Sequence, residues 1–265
     1  MRHPDIAAAR GRLASTVTKG VAASKALEDI DVVILAGGLG TRIQAVLGNV
    51  PKVLAPIGGR PFVEYVLEWL RKFGARRVVL SLGHLANAVT DYLERRPADG
   101  LRLVPIIEPA PLGTAGALRF ARLQLQSDPV LVINGDTFFD ADLGGFVARH
   151  RSSHAAISLL CTEVESIARY GSLDLDANRH VNRFVEKNAE ADRPGVVSAG
   201  IYLISAAILD DIARSSDPSL ERDYLQRLPA GTIRADLVRG SFIDIGTPGS
   251  LADALDVIRG APPLL

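Results

Sequence analysis

From Asp31 onward, short apolar runs rich in β-branched residues alternate with stretches whose apolar residues fall at helical spacing. No other feature constrains the fold as much. Such runs read as strands buried on both faces, and the stretches between them as crossover helices. The alternation therefore predicts an α/β fold, a mostly parallel sheet with helices on both faces. Residues 31–35 read as the first strand. A helix over 62–73 follows, with Val63, Val66, Leu67 and Leu70 on one face and Gly74 ending it. Strands over 77–82, 101–107 and 130–134 then alternate with helices over 85–93 and 114–125. Later, 172–175, 181–186 and 197–204 read as strands with no long helix between them.

A chain of 265 residues, 48% hydrophobic, is ample for one well-buried α/β domain. Lys+Arg and Asp+Glu are equal in number, for a formal net charge of +0. That balance gives no electrostatic case for a nucleic-acid partner or an anionic membrane surface. No apolar run approaches the length of a transmembrane helix. Cys161 is the sole cysteine, which excludes an internal disulfide and fits a reducing cytoplasm. Its strand-like neighbours, Ile157-Ser158-Leu159-Leu160, make it a packing residue. Residues 1–29, rich in Ala, Ser, Lys and Arg with little periodicity, read as an N-terminal extension, helical or loose. Residues 30–265 then form a single domain.

The first strand runs into Leu35-Ala36-Gly37-Gly38-Leu39-Gly40-Thr41-Arg42, with Pro51-Lys52-Val53-Leu54 about ten residues on. Glycines let a backbone approach a ligand closely, and bare N–H groups beyond a strand end make an anion nest. Arg42 and Lys52 add two cations suited to a polyphosphate. A dinucleotide fingerprint is excluded because Gly38-Leu39-Gly40-Thr41-Arg42 is followed by Ile43 and not by its last glycine, and no Walker string occurs. The motif resembles the opening of the sugar-nucleotidyltransferases (nucleotide-diphospho-sugar pyrophosphorylases), which reads L-A-G-G-x-G-T-R and then P-K. The resemblance covers about residues 30–256. It implies a Rossmann-like three-layer fold whose sheet acquires a small antiparallel insertion. It also implies that Leu35, Ala36, Gly37, Gly38, Gly40 and Thr41 hold nucleotide phosphates, with Arg42 and Lys52 gripping the phosphates around the bond being made.

Four further motifs lie at strand ends, where open α/β sheets bind ligands. In Glu108-Pro109-Ala110-Pro111-Leu112-Gly113-Thr114-Ala115-Gly116, Pro111 and Gly113 can fix a turn and Thr114 can cap the following helix. The family reads the base here, and this form is similar to that of the guanylyltransferases. Glu108 could accept from the N1–H and N2 amino groups of guanine, so GTP is the expected nucleotide. Asn134-Gly135-Asp136 ends the strongest strand in a carboxylate, and Phe242-Ile243-Asp244-Ile245-Gly246 ends another. Asp136 and Asp244 match the family's metal positions, for Mg²⁺ shared with substrate phosphates. Asp140 and Asp142 form a D-x-D pair at a helix start and read as caps.

Phe184-Val185-Glu186-Lys187 resembles the segment that meets the sugar phosphate, Lys187 neutralising it and Glu186 accepting sugar hydroxyls. Tyr170, Gly171, Ser198 and Gly200 stand where the family contacts the sugar, Ser198 replacing a commoner Asn. The implied reaction is in-line attack of a sugar 1-phosphate on the α-phosphorus of GTP, catalysed by Arg42, Lys52, Asp136 and Lys187. The short form and the late Ser219-Leu220-Glu221-Arg222-Asp223 segment look like the D-glycero-α-D-manno-heptose 1-phosphate guanylyltransferases. Mannose 1-phosphate guanylyl transfer, glucose 1-phosphate thymidylyl or uridylyl transfer, and a non-catalytic sugar-nucleotide-binding subunit are the alternatives. A metal-dependent glycosyltransferase would need its D-x-D at a strand end. Formation of a homo-oligomer stays open.

Overall fold

In the first strand, β1 (Val32–Ala36), Val32 and Ile34 face one hydrophobic core while Val33 and Leu35 face another. A strand covered on both sides has no polar positions to alternate with, which is why it reads as an unbroken apolar run. The computed structural model describes residues 25–185 and 193–260. After β1 come α1 (Gln44–Leu47), the hairpin β2 (Pro56–Ile57) and β3 (Arg60–Pro61), α2 (Phe62–Lys72) and β4 (Arg77–Leu82). Next are α3 (Ala86–Arg95), β5 (Arg102–Ile107), α4 (Gly113–Ala121), β6 (Val130–Asn134) and β7 (Thr137–Phe139). The second half adds α5 (Leu143–Ser153), β8 (Ile157–Val164), β9 (Ser172–Leu175), β10 (Val181–Val185) and β11 (Gly195–Ile204). It ends with α6 (Ala206–Arg214), β12 (Ile233–Leu237), β13 (Phe242–Asp244) and α7 (Pro248–Gly260).

The main sheet follows the order β10-β9-β11-β6-β1-β4-β5, with β8 joining β11 to β12. Strands β6, β1, β4 and β5 run parallel. β11 turns the sheet antiparallel, pairing Ile201 to Ile204 with Ile133 to Val130. It also pairs along β8, with an irregularity in register between Ser198 and Ile201. β9 and β10 extend the sheet from there as an antiparallel pair. The expected three-layer, mostly parallel fold with a small antiparallel insertion is thus the one observed. β13 pairs with β7 outside the main sheet, setting Asp244 opposite Thr137.

Helices α2, α3, α5 and α7 cover one face and α4 and α6 the other. Helix α2 shows why its sequence is helical there. It buries Phe62, Val63, Val66, Leu67, Trp69 and Leu70 along one stripe, starts acidic at Glu64 and ends basic at Arg71 and Lys72. That charge order opposes the helix dipole favourably at both ends. Residues 1–24 of the N-terminal extension lie outside the described residues; Leu27 and Ile30 sit in the core, and the Leu27 amide donates to Phe73 O at 3.0 Å. Helix α4 stops at Ala121, earlier than its periodicity suggests, and a 3₁₀ turn over Arg122–Gln124 completes the segment. Asp142 stands at the N-cap of α5 as expected, but its side chain makes no cap hydrogen bond.

Candidate active site

Beyond the carboxyl end of β1 lies a cavity of about 340 Å³. The glycine loop forms one wall, from Leu35 through Gly40, with Lys52, Asn134, Gly135 and Asp136 beside it. Glu108, Pro111, Leu112, Gly113 and Thr114 form the opposite wall. Thr41 is exposed and lines neither this cavity nor the next. Gly37 is confined by packing: a Cβ there would stand 2.8 Å from the carboxyl carbon of Glu108. That carboxylate is nearly buried, accepting from the Ser81 hydroxyl at 2.9 Å and the Leu112 amide at 3.4 Å. Glu108 therefore packs closely on the glycine loop at Gly37 while being fixed by Ser81 and Leu112, a position its sequence motif does not announce.

Gly113 opens α4 at φ +74°, a left-handed conformation, and a Cβ there would lie 2.9 Å from the Pro218 carbonyl carbon. Ala115 donates to Pro218 O at 3.0 Å. Thr114 does not cap its own helix: its Oγ1 accepts from the Leu220 amide at 2.8 Å, and Leu112 holds the N-cap position. The reason is geometric. The helix begins at Gly113, so Thr114 lies inside its first turn, and its hydroxyl is taken by a segment 106 residues downstream.

A second cavity, about 810 Å³, adjoins the first and shares Thr114 and Asn134 with it. Its walls include Tyr170, Gly171, Ser198 and Gly200, all expected, and also Glu221, Arg222, Gln226 and Phe242. Tyr170 packs on Phe242 with ring centroids 5.6 Å apart, and burial raises the pKa of its hydroxyl. Arg42, grouped by sequence with the glycine loop, lines this second cavity together with Asp244. Glu186 and Lys187 lie outside the described residues.

The charged residues meet where the cavities adjoin. The Lys52 ammonium forms an ion pair with Asp136 Oδ2. Asp136 O accepts from the Ile245 amide at 2.9 Å, tying the two aspartate-bearing strand ends together. The space where Gly246 would carry a side chain lies 3.3 Å from both Arg42 Nη2 and Lys52 Nζ, and borders Asp244 Oδ1. Two cations and two carboxylates thus face one small volume between a cavity walled by glycine backbone and one walled by hydroxyls and rings. Such a volume suits phosphate groups, whose charge needs cations on more than one side.

Residues 31–259 match the family model described as "Nucleotidyl transferase". The chain belongs to that family. Among relatives of this nucleotidyl transferase, the D-glycero-alpha-D-manno-heptose 1-phosphate guanylyltransferase of Campylobacter jejuni is 32% identical over 83% of this chain and 96% of its own length. The mannose-1-phosphate guanylyltransferase of Mycobacterium tuberculosis is 29% identical, over 90% of this chain and 67% of its own length. The crystal structure of HddC from Yersinia pseudotuberculosis complexed with GMP-PN superposes with a TM-score of 0.77 at 36% identity. That alignment covers 86% of this chain and 98% of HddC.

Among the described residues of this family member, no group of three or more His, Cys, Asp and Glu is placed to hold a metal ion. Asp136 and Asp244 would offer only carboxylate oxygens, and too few to enclose an ion by themselves. A hard divalent cation completed by substrate phosphates fits that set; a closed structural metal site does not. Sequence reading found the aspartates but gave no role to Asn134, Glu221, Arg222 or Gln226. Asn134 was visible only as the neighbour of Asp136. Glu221 was visible within the Ser219-Leu220-Glu221-Arg222-Asp223 segment, whose place in the fold depends on contacts with α4 and β11.

Proposed function

We propose that this chain transfers GMP from GTP to D-glycero-α-D-manno-heptose 1-phosphate, releasing pyrophosphate and GDP-heptose. The observation that carries the proposal is the placement of Arg42, Lys52, Asp136 and Asp244 between two adjoining cavities. Similarity to heptose 1-phosphate guanylyltransferases and to HddC complexed with GMP-PN supports the choice of base and acceptor. The unit responsible is a single nucleotidyltransferase domain over residues 30–265, working in the cytoplasm.

In this reading the first cavity takes GTP. The backbone of Gly37, Gly38 and Gly40 accommodates the phosphates, and Glu108, Pro111, Gly113 and Thr114 border the base. The second cavity takes the sugar 1-phosphate, with Tyr170, Gly171, Ser198 and Gly200 along the ring. A phosphate oxygen of the acceptor attacks the α-phosphorus in line. The bond from that phosphorus to its bridging oxygen breaks, and pyrophosphate carries the electron pair away. The nucleophile is already an anion, so no general base is needed; positioning and charge compensation do the work. Lys52 leaves Asp136 for the α-phosphate, Arg42 faces the phosphates from the acceptor side, and Lys187 and Glu186 complete the sugar phosphate's surroundings. Mg²⁺, held by Asp136 and Asp244 together with phosphate oxygens, would neutralise charge on the transferring group.

Pyrophosphate release with Mg²⁺, crossing GTP, UTP, dTTP, CTP and ATP against heptose, mannose and glucose 1-phosphates, tests the proposal. Turnover of GTP with heptose 1-phosphate well above mannose 1-phosphate is the expected result. Preference for mannose 1-phosphate would overturn the acceptor and leave the chemistry standing. Silence in every combination, with GDP-sugar still binding, would replace the enzyme with a sugar-nucleotide-binding subunit.

A further inference from the structure

We propose that Glu221 is the specificity residue of the second cavity, accepting hydrogen bonds from hydroxyl groups of the acceptor sugar; this rests on the sugar 1-phosphate reading above. Glu221 lies on the π-helical turn Leu220–Tyr224, between Ser219 and Arg222 on the cavity wall. That turn is fastened from several sides. Leu220 donates to Thr114 Oγ1 at 2.8 Å, and Ser219 donates to Asp223 Oδ2 at 2.9 Å. The buried Tyr224 donates its hydroxyl to Asp211 at 2.8 Å. A carboxylate presented from so fixed a turn loses little freedom when a ligand arrives.

Its hydrogen bonds are distributed unevenly. Ser198 Oγ donates to Glu221 Oε1 at 3.0 Å, and the fully buried Tyr202 hydroxyl donates to the same oxygen. Among the described residues both bonds fall on Oε1, which leaves Oε2 for a ligand. Burial, followed by the nearby carboxylate itself, raises the Tyr202 pKa well above its ordinary value, so this hydroxyl remains a donor. An ionised carboxylate only accepts hydrogen bonds, and sugar hydroxyls can donate them. The same charge repels the acceptor's phosphate. It therefore favours the one orientation in which hydroxyls meet Glu221 and the phosphate meets Arg42 and the other cations.

Steady-state kinetics on Glu221→Gln, with Tyr202→Phe as a packing control, test the inference. Glu221→Gln keeps size and an acceptor oxygen but removes the charge. Its expected effect is an acceptor KM raised about 10- to 100-fold. The GTP dissociation constant, measured without acceptor, should stay within about twofold, and the melting temperature near wild type. The preference for heptose over mannose 1-phosphate should also fall. An unchanged acceptor KM would overturn the proposal, as would GTP affinity and acceptor KM worsening together with a melting temperature lowered as in Tyr202→Phe. Should Glu221→Gln not fold, Glu221→Asp keeps the charge and withdraws it by one methylene. A raised acceptor KM there supports the role and an unchanged one overturns it. If the wild type prefers mannose 1-phosphate, the same comparison runs with that acceptor and only the heptose assignment falls. A wild type that uses no sugar 1-phosphate overturns both readings.

Discussion

The Lys52 ammonium already has a partner, Asp136, before any substrate is bound. An incoming polyphosphate must offer it more than that carboxylate does, which a triphosphate can. Replacing it with a neutral chain of similar length, Lys52→Met, should lower kcat/KM by roughly two to three decades, about 3–4 kcal/mol of transition-state stabilisation. Pyrophosphate release measures this, and circular dichroism should show an unchanged fold. Gly37 makes a different point at the same scale. Gly37→Ala drives a methyl group into the Glu108 carboxylate and should cost about 1–3 kcal/mol of stability as overpacking. Glu108→Ala in the same chain should return part of that loss in thermal melts, since it removes the clashing group. A Gly37→Ala protein that melts like wild type would show that the glycine loop does not pack on Glu108 as described.

At the scale of elements, the strand–helix alternation was readable because parallel strands buried on both faces are apolar throughout, as β1 is. What could not be read depends on partners far away in the chain. Thr114 has the residue type of a helix cap, yet α4 starts one residue before it and its hydroxyl serves Leu220. Arg42 sits in the glycine motif, yet lines the second cavity. Glu221 lies in a segment the sequence marks only by resemblance, and its role could not be read there because its surroundings are made by β11 and α4. The Thr114–Leu220 bond links an edge of one cavity to the turn carrying Glu221. Thr114→Val, which keeps shape and removes the acceptor, should therefore raise KM for both GTP and sugar 1-phosphate, by several-fold each.

Asp31, just before β1, fastens that strand to the loop preceding β6. Its carboxylate accepts from the amides of Gln126 at 2.6 Å and Ser127 at 3.1 Å, and from Arg77 at 2.9 Å. Burial pushes its pKa up, but those three donors outweigh it and the net direction is down. Stability from a carboxylate of lowered pKa is complete above its unfolded value, near 4, and is lost as pH falls through the lower folded value. Asp31→Asn should therefore destabilise by about 1–2 kcal/mol at pH 7, with the difference from wild type shrinking at a pH well below the unfolded value. Urea melts at the two pH values decide it; an equal difference at both would show that charge plays no part.

For the whole molecule, two cores on opposite faces of one sheet back the site, and a few of their residues, Leu35 and Val53 at the first cavity and Ala199 at the second, also line it. Among the described residues no helix is long and apolar enough to cross a membrane. Removing divalent metal with EDTA should abolish pyrophosphate release and shift the melting temperature by less than about 2 °C, because Lys52 already compensates Asp136. Added Mg²⁺ should restore turnover. A large fall in melting temperature would mean that the ion holds the fold as well as the reaction.

β11 is where the architecture divides. Its second half, Ile201 to Ile204, completes the sheet beside β6; its first half touches β9 at Val197, and β8 pairs along both halves. Everything that walls the first cavity precedes this strand, whereas most of the second cavity's wall comes from the stretch between β8 and β12. A lineage can therefore trade one acceptor for another by rewriting the stretch from β8 to β12, and inherit the donor half unaltered.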